Sequence, residues 1–327
     1  MAKNRWKIAY ASVIGTSHLE KEIGCQDCFD HRIVNTSIGE TLIVAMADGA
    51  GSSPFSRIGA EKACSLFIGE IETLLLDGEE IENLNKDFGK LFLNAFQSKI
   101  ADLAEEQEKN VRDYASTFIG AVVWDNGAVF YQVGDGGVIY SSTGESESYC
   151  FGILPSKKIY ANATDFITDE TAEERLLYEF VNEPITDLII FTDGIERIAV
   201  NIQAGLPHEP FLIPMLEPLH KEILNYEQLN KKLEAFLNSP RINEKTDDDK
   251  TLFLASRYIQ ISIEGETDVS FDEPKNENQK NVAKEGKEVL EIERLDSEPD
   301  NSIITIDLME EDKISCEDSA VNEKTII

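Results

Sequence analysis

The sequence predicts an α+β domain, and three observations carry that reading. Short β-branched apolar runs recur along the chain, and two of them end in Asp-Gly. Residues 57 to 76 and 84 to 108 place apolar side chains at helical spacing. Asp125-Asn126-Gly127 interrupts an apolar run as a tight hairpin does, because Asn-Gly readily supplies positive φ angles.

Taken in order, Trp6, Ile8, Tyr10 and Ser12 alternate with Lys7, Ala9 and Ala11, the pattern of a half-buried first strand. A polar segment then leads through Gln26 and Asp27 into a second strand, a turn around Gly39, and the buried strand Thr41 to Ala47. That strand delivers Asp48 into Gly49-Ala50-Gly51. A carboxylate there either caps the following helix or holds something, since its charge is costly without compensation. In the second helical stretch Phe88, Leu91, Phe92, Ala95, Phe96, Ile100 and Leu103 form a stripe read as core. Residues 115 to 141 turn to strand character, with Asp135 between glycines in a segment that a hairpin turn alone would explain. Residues 142 to 182 are polar and irregular, a loop or small lid. Leu188 to Thr192 then form a strand ending in Asp193-Gly194, which repeats the order seen at Asp48-Gly49. After four prolines, residues 226 to 237 read as a helix, and Asp247-Asp248-Asp249 immediately precede a last apolar strand.

Composition narrows the function. The chain has 327 residues, a formal charge of -32 and a pI near 4.4, which excludes nucleic acid and anionic membrane as partners because both demand basic surface. No stretch approaches the roughly 18 apolar residues of a membrane span, and the N-terminal segment lacks a signal-peptide core, so a cytoplasmic location is expected. Five cysteines, an odd number, argue against a disulfide framework. Cys25 and Cys28 form a lone CxxC without a second pair to complete a zinc site, and Cys64 reads as core. Residues 264 to 327 hold twenty acids against seven Lys and Arg, so the domain is placed at 1–262 and a disordered acidic tail at 263–327. Its clusters, such as Ile303, Ile304, Ile306 and Leu308, offer a docking segment for another protein.

Acids far apart in sequence, yet each at a strand end, can converge on one rim of a sheet. Oxygen ligands of that kind suit Mg²⁺ or Mn²⁺. Two such ions about 3.5 to 4 Å apart can hold a phosphate ester and activate water against phosphorus.

In their order QDCFD, VAMADGAGS, VGDGGVIY, LIIFTDGI and DDDKTLFLA, over roughly residues 8 to 262, the motifs resemble those of the PP2C-type (PPM) metal-dependent protein serine/threonine phosphatases, nearest the bacterial members. The resemblance implies a four-layer α-β-β-α sandwich, two central antiparallel sheets flanked by helices, with a binuclear Mg/Mn centre in a cleft at one end. It implies hydrolysis of phosphoserine and phosphothreonine in a phosphorylated protein substrate by metal-activated water, opposing a partner Ser/Thr kinase. By the same resemblance Asp48 bridges two ions with the Gly49 carbonyl as a further ligand, and Asp193 and Asp248 complete the first site. Asp248 is selected by its spacing from Thr251, which leaves Asp249 where the family has Asn. Asp27 serves the second ion directly or through water, and Asp135 helps hold a third, weaker one.

Two departures stand out. The arginine that many members carry before the first acid is absent from His18-Leu19-Glu20-Lys21-Glu22, leaving His18, Lys21 and Arg57 as candidates for the phosphate. Ala50 stands where many eukaryotic members have histidine. The alternative of a different class is a non-catalytic phosphoprotein-binding or regulatory module on the same fold. A haloacid-dehalogenase-type enzyme fits poorly, because Asp48 and Asp193 lead into glycine without the DxD of an aspartyl nucleophile.

Overall fold

The computed structural model describes residues 6–36, 39–78, 80–142, 149–153, 164–221 and 225–257, all within one compact unit. The expected boundary at 262 and the acidic tail lie outside them.

The strands are β1 (Lys7–Val13), β2 (Cys28–Thr36), β3 (Gly39–Ala47), β4 (Phe118–Trp124), β5 (Gly127–Val133), β6 (Gly137–Ser142), β7 (Cys150–Ile153), β8 (Leu177–Val181), β9 (Ile185–Phe191), β10 (Val200–Asn201), β11 (Leu206–Pro207) and β12 (Lys250–Ser256). The helices are α1 (Thr16–Glu20), α2 (Ser56–Leu76), α3 (Lys86–Glu106), α4 (Ala172–Arg175), α5 (Asp193–Ala199), α6 (Glu209–Leu216), α7 (Tyr226–Leu237) and α8 (Pro240–Asn243). Two antiparallel five-stranded sheets result, ordered β1-β12-β9-β6-β7 and β2-β3-β4-β5-β8. This is the α+β arrangement expected.

Three cores make the layers. Leu42, Val44, Met46, Ile119, Phe130, Ile190 and Phe253 pack between the sheets. The opposite face of the β3 sheet, through Ile43, Ala45 and Val122, receives α2 and α3. The far face of the β9 sheet receives α5, α6 and α7 through Ile195, Leu212 and Leu233. Strand β1 alternates as a half-buried strand should, but its buried face is Ala9, Ala11 and Val13 against the helices, while Ile8 and Tyr10 are only partly buried toward the second sheet.

Helix α2 buries Ala60, Ala63, Cys64, Phe67, Ile68, Ile71 and Leu75, an i, i+3, i+4, i+7 stripe. Phe67 anchors it, edge-on to Phe92 at 5.3 Å and to Phe118 at 5.2 Å. Helix α3 starts where Asn85 Oδ1 accepts the N–H groups of Asp87 and Phe88 at 2.9 and 3.2 Å. Of its expected core stripe Phe92, Phe96 and Ile100 are buried and Phe88 and Leu103 pack partly buried against them, while Ala95 is half-buried and Leu91 is 67% exposed on the open groove between α2 and α3. The helices come so close to the neighbouring loop that a Cβ on Gly59 would collide with Tyr114 O. Gly59→Ala is expected to cost about 2 to 3 kcal/mol by overpacking, read as a lower urea midpoint at unchanged m.

The polar stretch 142 to 182 is not a plain loop. Its described part contains β7 and β8, edge strands of the two sheets, together with α4. Both strands are short and have one partner each, so neither shows a buried apolar run. No helix among the described residues is long and apolar enough to cross a membrane.

Candidate metal centre

Asp48 follows β3, and its backbone is zipped on both sides. Its N–H donates to Thr117 Oγ1 at 3.0 Å, and its carbonyl accepts the Thr117 N–H at 2.8 Å. Gly49 N–H donates to Gln26 O at 3.2 Å and Ala50 N–H to Ala115 O at 2.9 Å. Only glycine fits at 49, since a Cβ would lie 2.8 Å from Gln26 O and 2.9 Å from Ser56 C. Asp48 is not the helix cap, because Phe55 occupies the N-cap position of α2.

The other acids reach the same end of the sandwich by different routes. Asp27 immediately precedes β2, whose first residue Cys28 pairs with Ala47 at the end of β3. Asp135 lies in the link from β5 to β6, which crosses from one sheet to the other and is therefore not a hairpin. Gly134 and Gly136 take φ of 97° and 88°, and the buried Gln132 amide donates to both their carbonyls at 3.2 and 3.3 Å. Asp193 opens α5 just beyond β9. Carboxylate oxygens of Asp48, Asp135 and Asp193 all lie within 4.8 Å of one another.

Electrostatics confirms the convergence. Burial pushes the Asp48 carboxyl well above the usual carboxylate range, and the charges of Asp27, Asp193, Asp248 and Asp135 push the same way. Asp27 is pushed up to about 7, by burial first. A hydrogen bond from Thr251 opposes that rise, Asp249 adds to it, and bonds to Thr192 and Asp48 oppose it. Thr251 and Thr192 hydroxyls donate to Asp27 Oδ2 at 2.7 and 2.8 Å. A half-buried, all-oxygen set of mutually repelling acids fits a hard divalent cation.

The family description "Protein phosphatase 2C" matches residues 14–238. This chain belongs to the protein phosphatase 2C family. A relative from Escherichia coli K12, Serine/threonine-protein phosphatase 3, is 35% identical over 254 residues, covering 76% of this chain and 98% of the relative. Among solved structures, Staphylococcus aureus serine/threonine phosphatase Stp1 superposes with a TM-score of 0.50 at 13% identity, covering 78% of this chain and 96% of that one. Toxoplasma gondii serine-threonine phosphatase 2C gives 0.53 at 12% identity, covering 79% and 96%. At such identities the solved structures bear on the fold alone.

In this phosphatase 2C chain the three adjacent acids before β12 divide sharply. Asp247 is exposed, and Asp248 is half-buried with its charge acting on Asp48. Asp249 is 1% exposed and turns away to clip the segment around α1, accepting Gly15 N–H at 2.6 Å and Gln26 N–H at 2.5 Å. Sequence reasoning left Asp249 without a role, because three identical residues in a row give no signal of which one points inward. It also missed Thr192 and Thr251 as partners of Asp27, although each hydroxyl residue adjoins an acid motif.

The three residues named for the phosphate fall in different settings. His18 is buried, with Nδ1 3.0 Å from Asp249 Oδ2 but not in a straight hydrogen bond to it. Lys21 is exposed at the end of α1. Arg57 stands beside the first acid motif, its Nε 2.7 Å from Glu61 and its Nη1 donating to the carbonyls of Cys25 and Asp27. Cys25, Cys28, Cys64 and Cys150 are free thiols, and Cys64 is 1% exposed in the core as expected.

Proposed function

We propose that the chain is a metal-dependent protein phosphatase that hydrolyses phosphoserine and phosphothreonine. The observation that carries this reading is the meeting of Asp48, Asp135 and Asp193 within 4.8 Å at one end of the two sheets. Asp27, Asp48, Asp193, Asp248 and the Gly49 carbonyl would hold two Mg²⁺ or Mn²⁺ ions, and Asp135 would help with a third. When bound, such ions polarise the phosphoryl oxygens and activate the attacking water.

The protein's own part is positional. Thr192 and Thr251 fix Asp27 through Oδ2, and the zipped turn fixes Asp48, so the acids are set before substrate arrives. Arg57, bonded to the Asp27 carbonyl, is the cation assigned to the phosphate side, with Lys21 and His18 as the other candidates. A Ser/Thr kinase that makes the phosphoprotein is the expected counterpart, and free thiols fit a reducing cytoplasmic setting.

The test is hydrolysis of p-nitrophenyl phosphate and a phosphothreonine peptide by the full chain. Turnover is expected with Mn²⁺ or Mg²⁺ and is lost in excess EDTA. A folded protein that binds Mn²⁺ and turns over neither substrate would favour the phosphoprotein-binding module instead.

A further inference from the structure

We propose that His18 is the proton donor to the departing serine or threonine oxygen, with Asp249 as its positioning residue. The proposal rests on the phosphatase reading above and assigns a step that reading leaves open.

His18 is 5% exposed, yet its ring has polar surroundings. Nδ1 lies 3.0 Å from Asp249 Oδ2. Asp249 is itself immobilised by the Gly15 and Gln26 N–H groups at 2.6 and 2.5 Å. The fixed Asp249 carboxylate beside Nδ1 sets which edge of the ring faces it and leaves Nε2 on the side of the glycine turn, where a proton can be given away. The main chain at His18 is pinned as well, its N–H donating to Gly15 O at 3.2 Å and its carbonyl accepting the Ile23 N–H at 3.1 Å.

Nε2 faces the glycine turn. A Cβ built on Gly51 would sit 3.3 Å from His18 Nε2 and 3.8 Å from Gln26 Oε1, so glycine at this exposed position leaves a notch into which the imidazole edge points. Gln26 is 8% exposed, and its Oε1 has no hydrogen-bond partner among the described residues. A buried acceptor left unpaired beside a buried imidazole marks a place made for an incoming polar group. The notch adjoins the acids, because Gly51 belongs to the turn that Asp48 opens and Gly49 N–H is bonded to Gln26 O.

The chemistry needs such a donor. Hydrolysis forms a bond from water oxygen to phosphorus and breaks the bond from phosphorus to the ester oxygen, which keeps the electron pair. A serine or threonine alkoxide is a poor leaving group, and the Nε2 proton converts it to the neutral hydroxyl as the bond breaks. The attacking water keeps one proton on the product hydrogen phosphate and gives up the other, which restores the Nε2 proton. Ala50, the nearest residue of the turn to Asp48 after Gly49, has no proton to offer.

The test compares two leaving groups on the full-length chain at saturating Mn²⁺. p-Nitrophenolate is a stable anion that departs without a proton, whereas a threonine alkoxide is not. His18→Gln is expected to lower kcat about 100-fold on a phosphothreonine peptide and only about threefold on p-nitrophenyl phosphate, the size of a lost general acid. Asp249→Asn should shift the same ratio in the same direction by a smaller factor. The ratio of the two rates does not depend on how much of a variant folds, so partial unfolding cannot imitate the result. Equal losses on both substrates, or an unchanged ratio, would overturn the proposal. A wild-type chain inactive on both substrates would overturn the phosphatase reading itself.

Discussion

Asp48→Asn and Asp193→Asn are each expected to lower turnover of p-nitrophenyl phosphate by about 10³-fold or more, the rate equivalent of at least roughly 4 kcal/mol of transition-state stabilisation. The two residues sit in the one described cluster of three acids whose oxygens meet within 4.8 Å. Replacing either carboxylate would remove a proposed ligand and a charge with almost no change in side-chain volume. The metal-free fold should not suffer, because the half-buried Asp48 lies among like charges and losing one relieves repulsion. The expected pattern is therefore lost activity and weakened Mn²⁺ binding by titration calorimetry, with an equal or higher melting temperature in EDTA. Asp248→Asn should behave the same way. Asp249→Asn should instead lower the EDTA melting temperature, since an amide in place of the carboxylate leaves a buried donor facing another donor, at about 1 to 3 kcal/mol. If Asp249→Asn weakened Mn²⁺ binding while Asp248→Asn did not, the assignment within the acidic run would be reversed.

That contrast shows where the sequence is legible. Asp48 and Asp193 announce themselves because each ends a buried strand and precedes a glycine whose missing Cβ is sterically required. At 194 a Cβ would collide with Asp249 O, and at 49 it would meet Gln26 O at 2.8 Å. Asp135 was legible as an acid between positive-φ glycines, but Gly-Asp-Gly-Gly serves a hairpin and a sheet-to-sheet crossover equally well, so its topology was not. Helix α7 was readable to its ends, Tyr226 and Leu237. Helix α6 was hidden by Pro210 and Pro214, which it accommodates in its first turn and its interior. Strand β8 was hidden because an edge strand with Leu177 and Phe180 at 38% and 44% exposure carries no clean alternation. The Asp249 clip depends on contacts more than 220 residues apart in sequence, to Gln26 and Gly15, which no local pattern encodes.

The metal-free chain should lose stability as pH rises from about 4 to about 7, and Mn²⁺ should reverse the loss. Asp27 titrates near 3.8 when unfolded and about 7 when folded, so the folded state binds the extra proton between those values. Its contribution is fully present below the unfolded value and is lost as pH rises through the folded one. Asp48 is raised in the same sense, by burial first and then by Asp27 and its other acidic neighbours. At about 1.4 kcal/mol per unit, the rise of Asp27 alone is worth on the order of a few kcal/mol, and Asp48 adds in the same direction. Two histidines overlap this window. His220, raised chiefly by its hydrogen bond to Asp187, adds to the decline, while His31, lowered chiefly by burial, opposes it. Asp27→Asn separates the contributions, because it should flatten the EDTA melting curve against pH while leaving both histidines in place. Since a divalent ion takes the place of the protons, its binding should tighten as pH rises and should release protons, detected by calorimetry in buffers of different ionisation enthalpy. A flat or rising EDTA profile in the wild type, or Mn²⁺ binding without proton release near neutral pH, would mean that the acids do not share protons in the empty centre. The burial and mutual repulsion that raise these carboxyls make the empty rim a costly part of the fold, and a bound cation would offset that cost.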